Sequence, residues 1–429
     1  MRVRRQVHSD RALLTATTLI ALVAVATTAC GALDTSSEPV VRSGGVSALS
    51  TTTTEAPTTT IAATTTVSTT TSTTTSTTVV EPTTTVSPRF STELTMAFTG
   101  DVVVLTPLIR RAEANGDGKV LDFRPMFDRI RSVISAVDYA VCHLELPIKP
   151  EEERPTPTYW SPPEIVPAVA DAGFDRCSTA SNHSLDRGIS GIDRTARAIE
   201  DAGITQNGIA RTEDEAKVQV IEVNGFKIAH LSYTYSTPKM SPPRDEPWRV
   251  NYIRRTKMRD DIKAAREAGA EYVILSLHFG RTMITAPDDF QKKTVRWLWD
   301  NTDVNLIVGC HAHVIQPATN RGDRYAFYGL GNHLASYPAG KIDVINAQDG
   351  ALALVTVRRG PDGKLTTDKP QILPTWVGKG DGSYTIYDAR DFQNPEVPED
   401  IRKQLERSYY RTRNVLGDYV LEPEIESGS

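Results

Sequence analysis

Six of the eight histidines in this 429-residue chain follow short apolar runs or sit in compact polar motifs. An imidazole so placed can bind a metal ion or carry a proton near neutral pH. Gly309-Cys310-His311-Ala312-His313 puts two imidazoles on one glycine-opened loop, able to reach the neighbouring points that two adjacent metal ions occupy. Two hydrogen-bonding loop histidines are the plainer reading. Ser181-Asn182-His183-Ser184-Leu185-Asp186-Arg187-Gly188 offers the Asn182 carbonyl oxygen as a neutral ligand and His183 as a proton carrier. The same residue types also suit an ordinary strand-to-helix turn. Asp101 and Glu145 each come directly after a hydrophobic run, where a buried carboxylate is costly without a cation. His278 ends a further apolar run. His230 lies inside an alternating stretch, on the face of Ile228, and reads as structural. His143 and His333, with Asp186 and Asn332, are candidates for substrate contact, and packing is the plainer role for both histidines.

Strand ends are what must position these groups. Apolar, β-prone runs are predicted at 94–104, within 133–144, and at 174–178, 272–278 and 304–309, each leading into polar residues. Helices are predicted at 124–136, 163–172, 191–202, 256–268 and 288–301, with Gly173, Gly203 and Gly269 as C-terminal stops. Asn224-Gly225 separates two β-prone runs, 218–223 and 226–234, and predicts a tight hairpin. Strands at 324–329 and 351–359 and a helix at 401–415 complete the pattern, which is that of α/β units. Cys142, Cys177 and Cys310 read as small buried residues, with pairing of Cys142 to Cys177 or Cys310 open outside the cytoplasm.

Composition divides the chain. The formal net charge of −5 argues against a basic nucleic-acid-binding protein. No aromatic residue precedes Phe90, so residues 1–89 have little with which to build a core. Arg2, Arg4, Arg5 and Arg11 precede an uncharged stretch at 12–29, which reads as an export signal. The small residues before Cys30 resemble a bacterial lipobox, which implies acylation of Cys30. Thr makes up 21 of the 35 residues at 51–85, a tract that predicts a solvated stalk. The expected organisation is a signal at 1–30, a disordered Thr-rich linker at 31–91, one domain at 92–390 and a C-terminal extension at 391–429.

The ordered set Gly100-Asp101, His143-Leu144-Glu145, Ser181 to Gly188, His278-Phe279-Gly280, Gly309 to His313 and Leu330-Gly331-Asn332 resembles the CapA family of capsule or poly-γ-glutamate synthesis proteins. That resemblance implies a calcineurin-like metallophosphoesterase fold, a four-layer α/β/β/α sandwich with a two-metal centre at its strand ends. It implies Asp101 and His313 as ligands of one ion, Asn182, His278 and His311 as ligands of the other, Glu145 as the bridge, and His183 as the proton donor to the leaving group. The chain departs from the pattern at Val103, where the phosphoesterase motif has histidine, and at His143, where CapA proteins usually have Asn. It departs again at Arg281-Thr282-Met283, where a Glu-Tyr pair is common, and at His333, where an aromatic residue is usual.

The expectation is therefore an exported, membrane-anchored, metal-dependent hydrolase with one or two Mn, Fe or Zn ions. Its partners would be an anionic polymer or a phosphoester, and other envelope-polymer synthesis proteins. The competing expectation is a tethered factor that binds or assembles the polymer without turnover.

Overall fold

A nearly continuous run of buried residues makes β1 (Glu93–Val103) a central strand, covered on both faces. Leu94, Met96 and Phe98 point to one face, and Ala97 and Val102 to the other. The computed structural model describes residues 91–149, 159–337, 344–379 and 382–423. After β1 come α1 (Thr106–Asn115), α2 (Arg131–Ile134), β2 (Tyr139–Leu144), α3 (Ile165–Asp171), β3 (Arg176–Ser178), α4 (Gly188–Asp201) and β4 (Thr205–Asn207). The chain continues through β5 (Ile221–Val223), β6 (Phe226–Thr234), α5 (Arg255–Glu267), β7 (Tyr272–His278), α6 (Asp289–Asn301), β8 (Leu306–Cys310), β9 (Ala318–Arg321), β10 (Arg324–Phe327) and β11 (Asn332–Ala335). It closes with β12 (Asp349–Arg359), β13 (Leu365–Thr367), β14 (Gln371–Val377), β15 (Ile386–Asp388) and α7 (Glu399–Leu416).

Two sheets result. The first runs β15-β14-β12-β1-β2-β3-β4, with β11 added beside β1 and β13 beside β12; the second runs β5-β6-β7-β8-β10-β9. Met96, Phe98 and Val141 of the first sheet meet Ile228, Ile274, Val308 and Phe327 of the second in a core between the sheets. The outer face of the first sheet packs on Leu108 of α1, Phe123, Phe127, Val166 and Val169 of α3, and Ile199 of α4. The outer face of the second packs on Met258 and Ile262 of α5 and on Val295 and Leu298 of α6. This is the expected four-layer α/β/β/α sandwich. Each such buried side chain contributes about 1.5–3 kcal/mol, so the three cores carry the fold.

Local signals account for most elements. Asn224 and Gly225 both have positive φ, as the predicted hairpin turn requires. Gly173, Gly203 and Gly269 also have positive φ, at the ends of α3, α4 and α5. Asp288 caps α6 with a capping box completed by Gln291. The helix predicted at 124–136 is instead a single 3-10 turn at Arg124–Met126 followed by the short α2. Its apolar residues Phe127, Ile130 and Ile134 are nonetheless buried as a helix would bury them.

The helix expected at 401–415 is α7, which packs the C-terminal extension on the fold. Ile401 and Leu405 of α7 pack on Trp376 and Tyr387, while Tyr409, Leu416 and Val420 enter the core between the sheets. A disulfide joins Cys142 to Cys177 at directly paired positions of β2 and β3, with Cys310 free and buried. By loop-closure entropy a bond across 35 residues contributes about 3–4 kcal/mol. Among the described residues no helix is long and apolar enough to cross a membrane. The signal at 1–30 with Cys30, and the linker at 31–91 apart from Ser91, lie outside the described residues.

Candidate metal centre

β1 changes partners where it delivers its aspartate. It pairs with β12 as far as Phe98 and with β11 from Asp101 onward, with a register shift between. Gly100 permits this, because a Cβ there would sit 2.0 Å from the Gly331 carbonyl oxygen. The Asp101 N–H donates to that same oxygen at 2.9 Å. Beside it, β2 places His143 opposite Asp101 and carries Glu145 just past its end. The loop after β3 is held by Ser181 and Ser184: Ser181 Oγ donates to the Glu145 carbonyl at 2.6 Å, and Ser184 Oγ to the Thr179 carbonyl at 2.8 Å. Asn182 and His183 ride on that turn.

The second sheet supplies the imidazoles. His278 ends β7, in register with Cys310 of β8. Gly309 lets β8 lie against residue 328, since a Cβ would stand 2.1 Å from the Tyr328 carbonyl oxygen. Beyond it His311 and His313 both have positive φ, at 90° and 56°. Such backbone costs of order 1–3 kcal/mol at each non-glycine residue and persists where function requires it.

Three groups of side chains could each hold a cation, with ligand atoms within 4.8 Å of one another: Asp101, Glu145 and His313; Glu145, His278 and His311; and Asp101, His143, His278 and Cys310. Glu145 belongs to the first two. Asn182 Oδ1 joins the second, 3.0 Å from His278 Nε2. The six ligands expected from the motifs thus converge from both sheets. Glu145 Oε2 and His311 Nδ1 are buried with no hydrogen-bond partner. A carboxylate shared between two mixed oxygen and nitrogen sets, with two donor atoms unpaired, fits a pair of divalent ions.

Electrostatics carry the same signature. Burial pushes Glu145 up to about 8, aided by Asp101 and Asp186 and opposed by His313. Burial also raises Asp101, but His313, His143 and the His311 N–H outweigh it and hold the carboxyl below its usual range. For His313 burial is likewise overcome, and the charges of Glu145 and Asp101 lift it to about 9. Burial lowers His143 and His311 to about 4 each and His278 well below its ordinary value. His143, His278 and His311 are thus held neutral, the form in which an imidazole nitrogen can ligate a metal.

Four of the residues expected to touch substrate do other work. His143 is buried, with Nδ1 2.9 Å from Ser178 Oγ and Nε2 3.0 Å from His278 Nδ1, so it orients His278. Asp186 holds His183 Nδ1 and Lys239 Nζ, each at 2.8 Å. Asn332 accepts from His313 Nδ1 at 3.0 Å and donates to the carbonyls of His313 and Ala347. His333 leaves the site altogether: its ring packs on Phe127 and Phe174, and neither nitrogen has a partner. Each of these corrections follows from burial or register, which a linear motif does not encode.

His183 stays at the surface of the cluster. Its side chain is 16% exposed, with Nε2 3.7 Å from Glu145 Oε1. Three tyrosines not anticipated from the motifs surround the histidines: Tyr159 on His183 at 4.9 Å between ring centroids, Tyr235 on His311 at 4.9 Å and Tyr337 on His313 at 5.0 Å. Tyr235 and Tyr337 come one and two residues beyond β6 and β11, where the strand-end argument could have found them.

A model of the family described as bacterial capsule synthesis protein PGA_cap matches residues 95–337. The PGA biosynthesis protein CapA of Bacillus subtilis (strain 168) is 24% identical over 254 residues, covering 56% of this chain and 62% of that one. The capsule biosynthesis protein CapA of Bacillus anthracis is 24% identical over 260 residues, covering 58% and 61%. The chain therefore spans about three fifths of the length of these two relatives. Among solved structures, the calcineurin-like phosphoesterase YfkN from Bacillus subtilis aligns with a TM-score of 0.39 at 12% identity, over 75% of this chain and 98% of that one.

Proposed function

The chain belongs to the bacterial capsule synthesis protein family PGA_cap, and from that premise we propose that it is a metal-dependent hydrolase acting on a phosphoester or a linkage in a capsule-type anionic polymer. The observation that carries this reading is Glu145, buried and shared between two ligand groups, with a partly exposed histidine 3.7 Å away. Asp101, Glu145 and His313 would hold one divalent ion, and Asn182, His278 and His311 a second. Mn, Fe or Zn would suit this mixed carboxylate, amide and imidazole set. When bound, such ions supply the positive charge that activates water and polarises the bond to be cut.

The side chains set the rest. Asp186 is kept ionised by His183 and Lys239 against the effect of burial. It fixes the His183 ring through Nδ1 and leaves Nε2 toward the centre, where it can hand a proton to a departing oxygen. His143, anchored on Ser178, keeps His278 from rotating. Tyr159, Tyr235 and Tyr337 wall the imidazoles and limit water.

His183→Gln is expected to keep the metal content of the wild type and to lower turnover by about 10²–10⁴-fold. The loss should shrink for substrates whose leaving group needs no proton. Assays of a bis-aryl phosphodiester, an alkyl phosphodiester and a poly-γ-glutamate oligomer, alongside elemental analysis, decide the matter. A protein that holds metal yet turns over none of them, or a His183→Gln variant as active as the wild type, would remove the hydrolase reading. Polymer binding without turnover would leave the assembly-factor reading.

The same proposal places the protein at the outer face of the cell membrane, acylated at Cys30, where other envelope-polymer proteins work. The signal-like residues 1–30 support it, as does the Cys142–Cys177 disulfide, a bond that persists in oxidising compartments. Cys30→Ser should move the protein from the membrane to the soluble fraction on cell fractionation. Unchanged membrane retention would count against the anchor.

A further inference from the structure

A groove of about 600 Å3 opens beside the metal centre, within the ~300–1,000 Å3 range of ligand sites. Its walls include Tyr159, Trp160, Ser336, Tyr337, Lys379 and Tyr384, together with the start of α1. Two of these residues connect it to the chemistry. Tyr337 lies against His313 and Tyr159 against His183, so a chain lying in the groove would run directly to the ligands and to the proton carrier.

Two polar groups in the walls lack the partners that burial calls for. Lys379 is half-buried and donates to the Tyr337 carbonyl, yet no carboxylate among the described residues pairs with it. Burial lowers its pKa to about 8 with no opposing acid among the described residues, which leaves it a cation around neutral pH. Ser336 is 3% exposed, and its hydroxyl has no hydrogen-bond partner. Apart from Thr106 the remaining wall is aromatic and aliphatic. Aromatic faces pack well on the C–H faces of sugar rings, and one lysine balances one carboxylate. A poly-γ-glutamate segment carries a carboxylate on every unit and would bring several uncompensated charges against apolar walls.

We propose that this groove binds an acidic oligosaccharide in which neutral rings separate the carboxylates, with one carboxylate on Lys379 and a ring hydroxyl on Ser336, and that it feeds the polymer to the metal centre. The final clause rests on the hydrolase reading above; the binding does not.

The test is equilibrium binding, by calorimetry, to the full chain with its metal. The probes are a hyaluronan oligosaccharide, which alternates acidic and neutral rings, its carboxyl-reduced form, and a γ-glutamate oligomer. The hyaluronan oligosaccharide is expected to bind saturably, and Lys379→Met to weaken it by at least about tenfold, as loss of a charge-assisted pair does. Lys379→Arg should stay within about threefold of the wild type, since it keeps the charge. The carboxyl-reduced form should bind wild type and Lys379→Met alike. Circular dichroism and thermal melting establish that both variants are folded. Absence of saturable binding, indifference to Lys379→Met, or preference for the γ-glutamate oligomer would each overturn the assignment. If binding behaves as expected while no bond is cut, the hydrolase reading fails and the groove stands. If His183-dependent hydrolysis is found without this binding, the groove alone fails.

Discussion

Glu145→Ala is expected to leave the purified protein with less than about half the metal of the wild type and to lower turnover by about 10³-fold or more, equivalent to about 4 kcal/mol of barrier. Among the described residues no other carboxylate belongs to both the Asp101 and His313 group and the His278 and His311 group. Its removal would unlink the two cation sites, whereas the loss of any other single ligand would impair one. Glu145→Gln is the informative companion. It keeps the shape, and the Ser181 hydrogen bond is made to the backbone carbonyl of residue 145, so the loop after β3 should hold its place. A fall in metal content with unchanged far-ultraviolet circular dichroism is the result expected of both variants. Wild-type metal content in Glu145→Ala would refute the shared-carboxylate arrangement.

The second large effect is on stability in acid. His143 and His311 are lowered to about 4 and His333 to about 3 by burial, and His230 and His278 well below the ordinary value. For a histidine whose folded pKa is depressed, the unfolded chain binds the extra proton below about 6.5, so its share of stability is present above that pH and is lost as pH falls. Glu145 and His313 act with the opposite sign in the metal-free protein. Their folded values of about 8 and about 9 mean that their contribution is lost as pH rises toward those values. Near pH 7 the opposing Glu145 and His313 largely cancel the five histidines, and below about pH 6.5 the histidines prevail, so net proton uptake on unfolding grows as pH falls. Chelator-treated protein should therefore show a urea midpoint that changes little near pH 7 and drops increasingly steeply between about pH 6.5 and 5. His333→Phe, which fills the same space between Phe127 and Phe174, should flatten that drop by about one proton. A midpoint independent of pH over this interval would contradict the buried-neutral assignment.

Much of the architecture was legible in local pattern. The apolar, β-prone runs at 94–104 and 226–234, the Asn224-Gly225 turn and the stops at Gly173, Gly203 and Gly269 each act over a few residues, and the structure contains them all. Elements that lack such a pattern were missed. β14 runs between β12 and β15 with Pro374 inside it, a residue that argues against a central strand. The helix α1 starts on Thr106-Pro107 and buries only Leu108 and Ala112, too short a stripe to stand out. The extension at 391–429, with its aromatics interspersed with charge, predicts a helix at 401–415 packing on the sandwich, and the structure adds that Tyr409 and Leu416 enter the core between the sheets.

The candidate site divides along the same line. Sequence alone determined which side chains stand at strand ends, because strand length and the apolar run that forms it are local properties. On that basis the motifs point to Asp101, Glu145, Asn182, His183, His278, His311 and His313. Tertiary structure decided which atoms meet. The register of β1 on β2 and β11, the positive-φ turns at His311 and His313, and the approach of the two sheets make Glu145 common to both groups. They also turn His143, Asp186 and Asn332 into supports, bury His333 in the core, and line a groove with Tyr337 and Lys379, which are 42 residues apart in the chain. Contacts of that kind depend on sheet order and backbone approach across tens to hundreds of residues, and no short stretch of sequence carries that information.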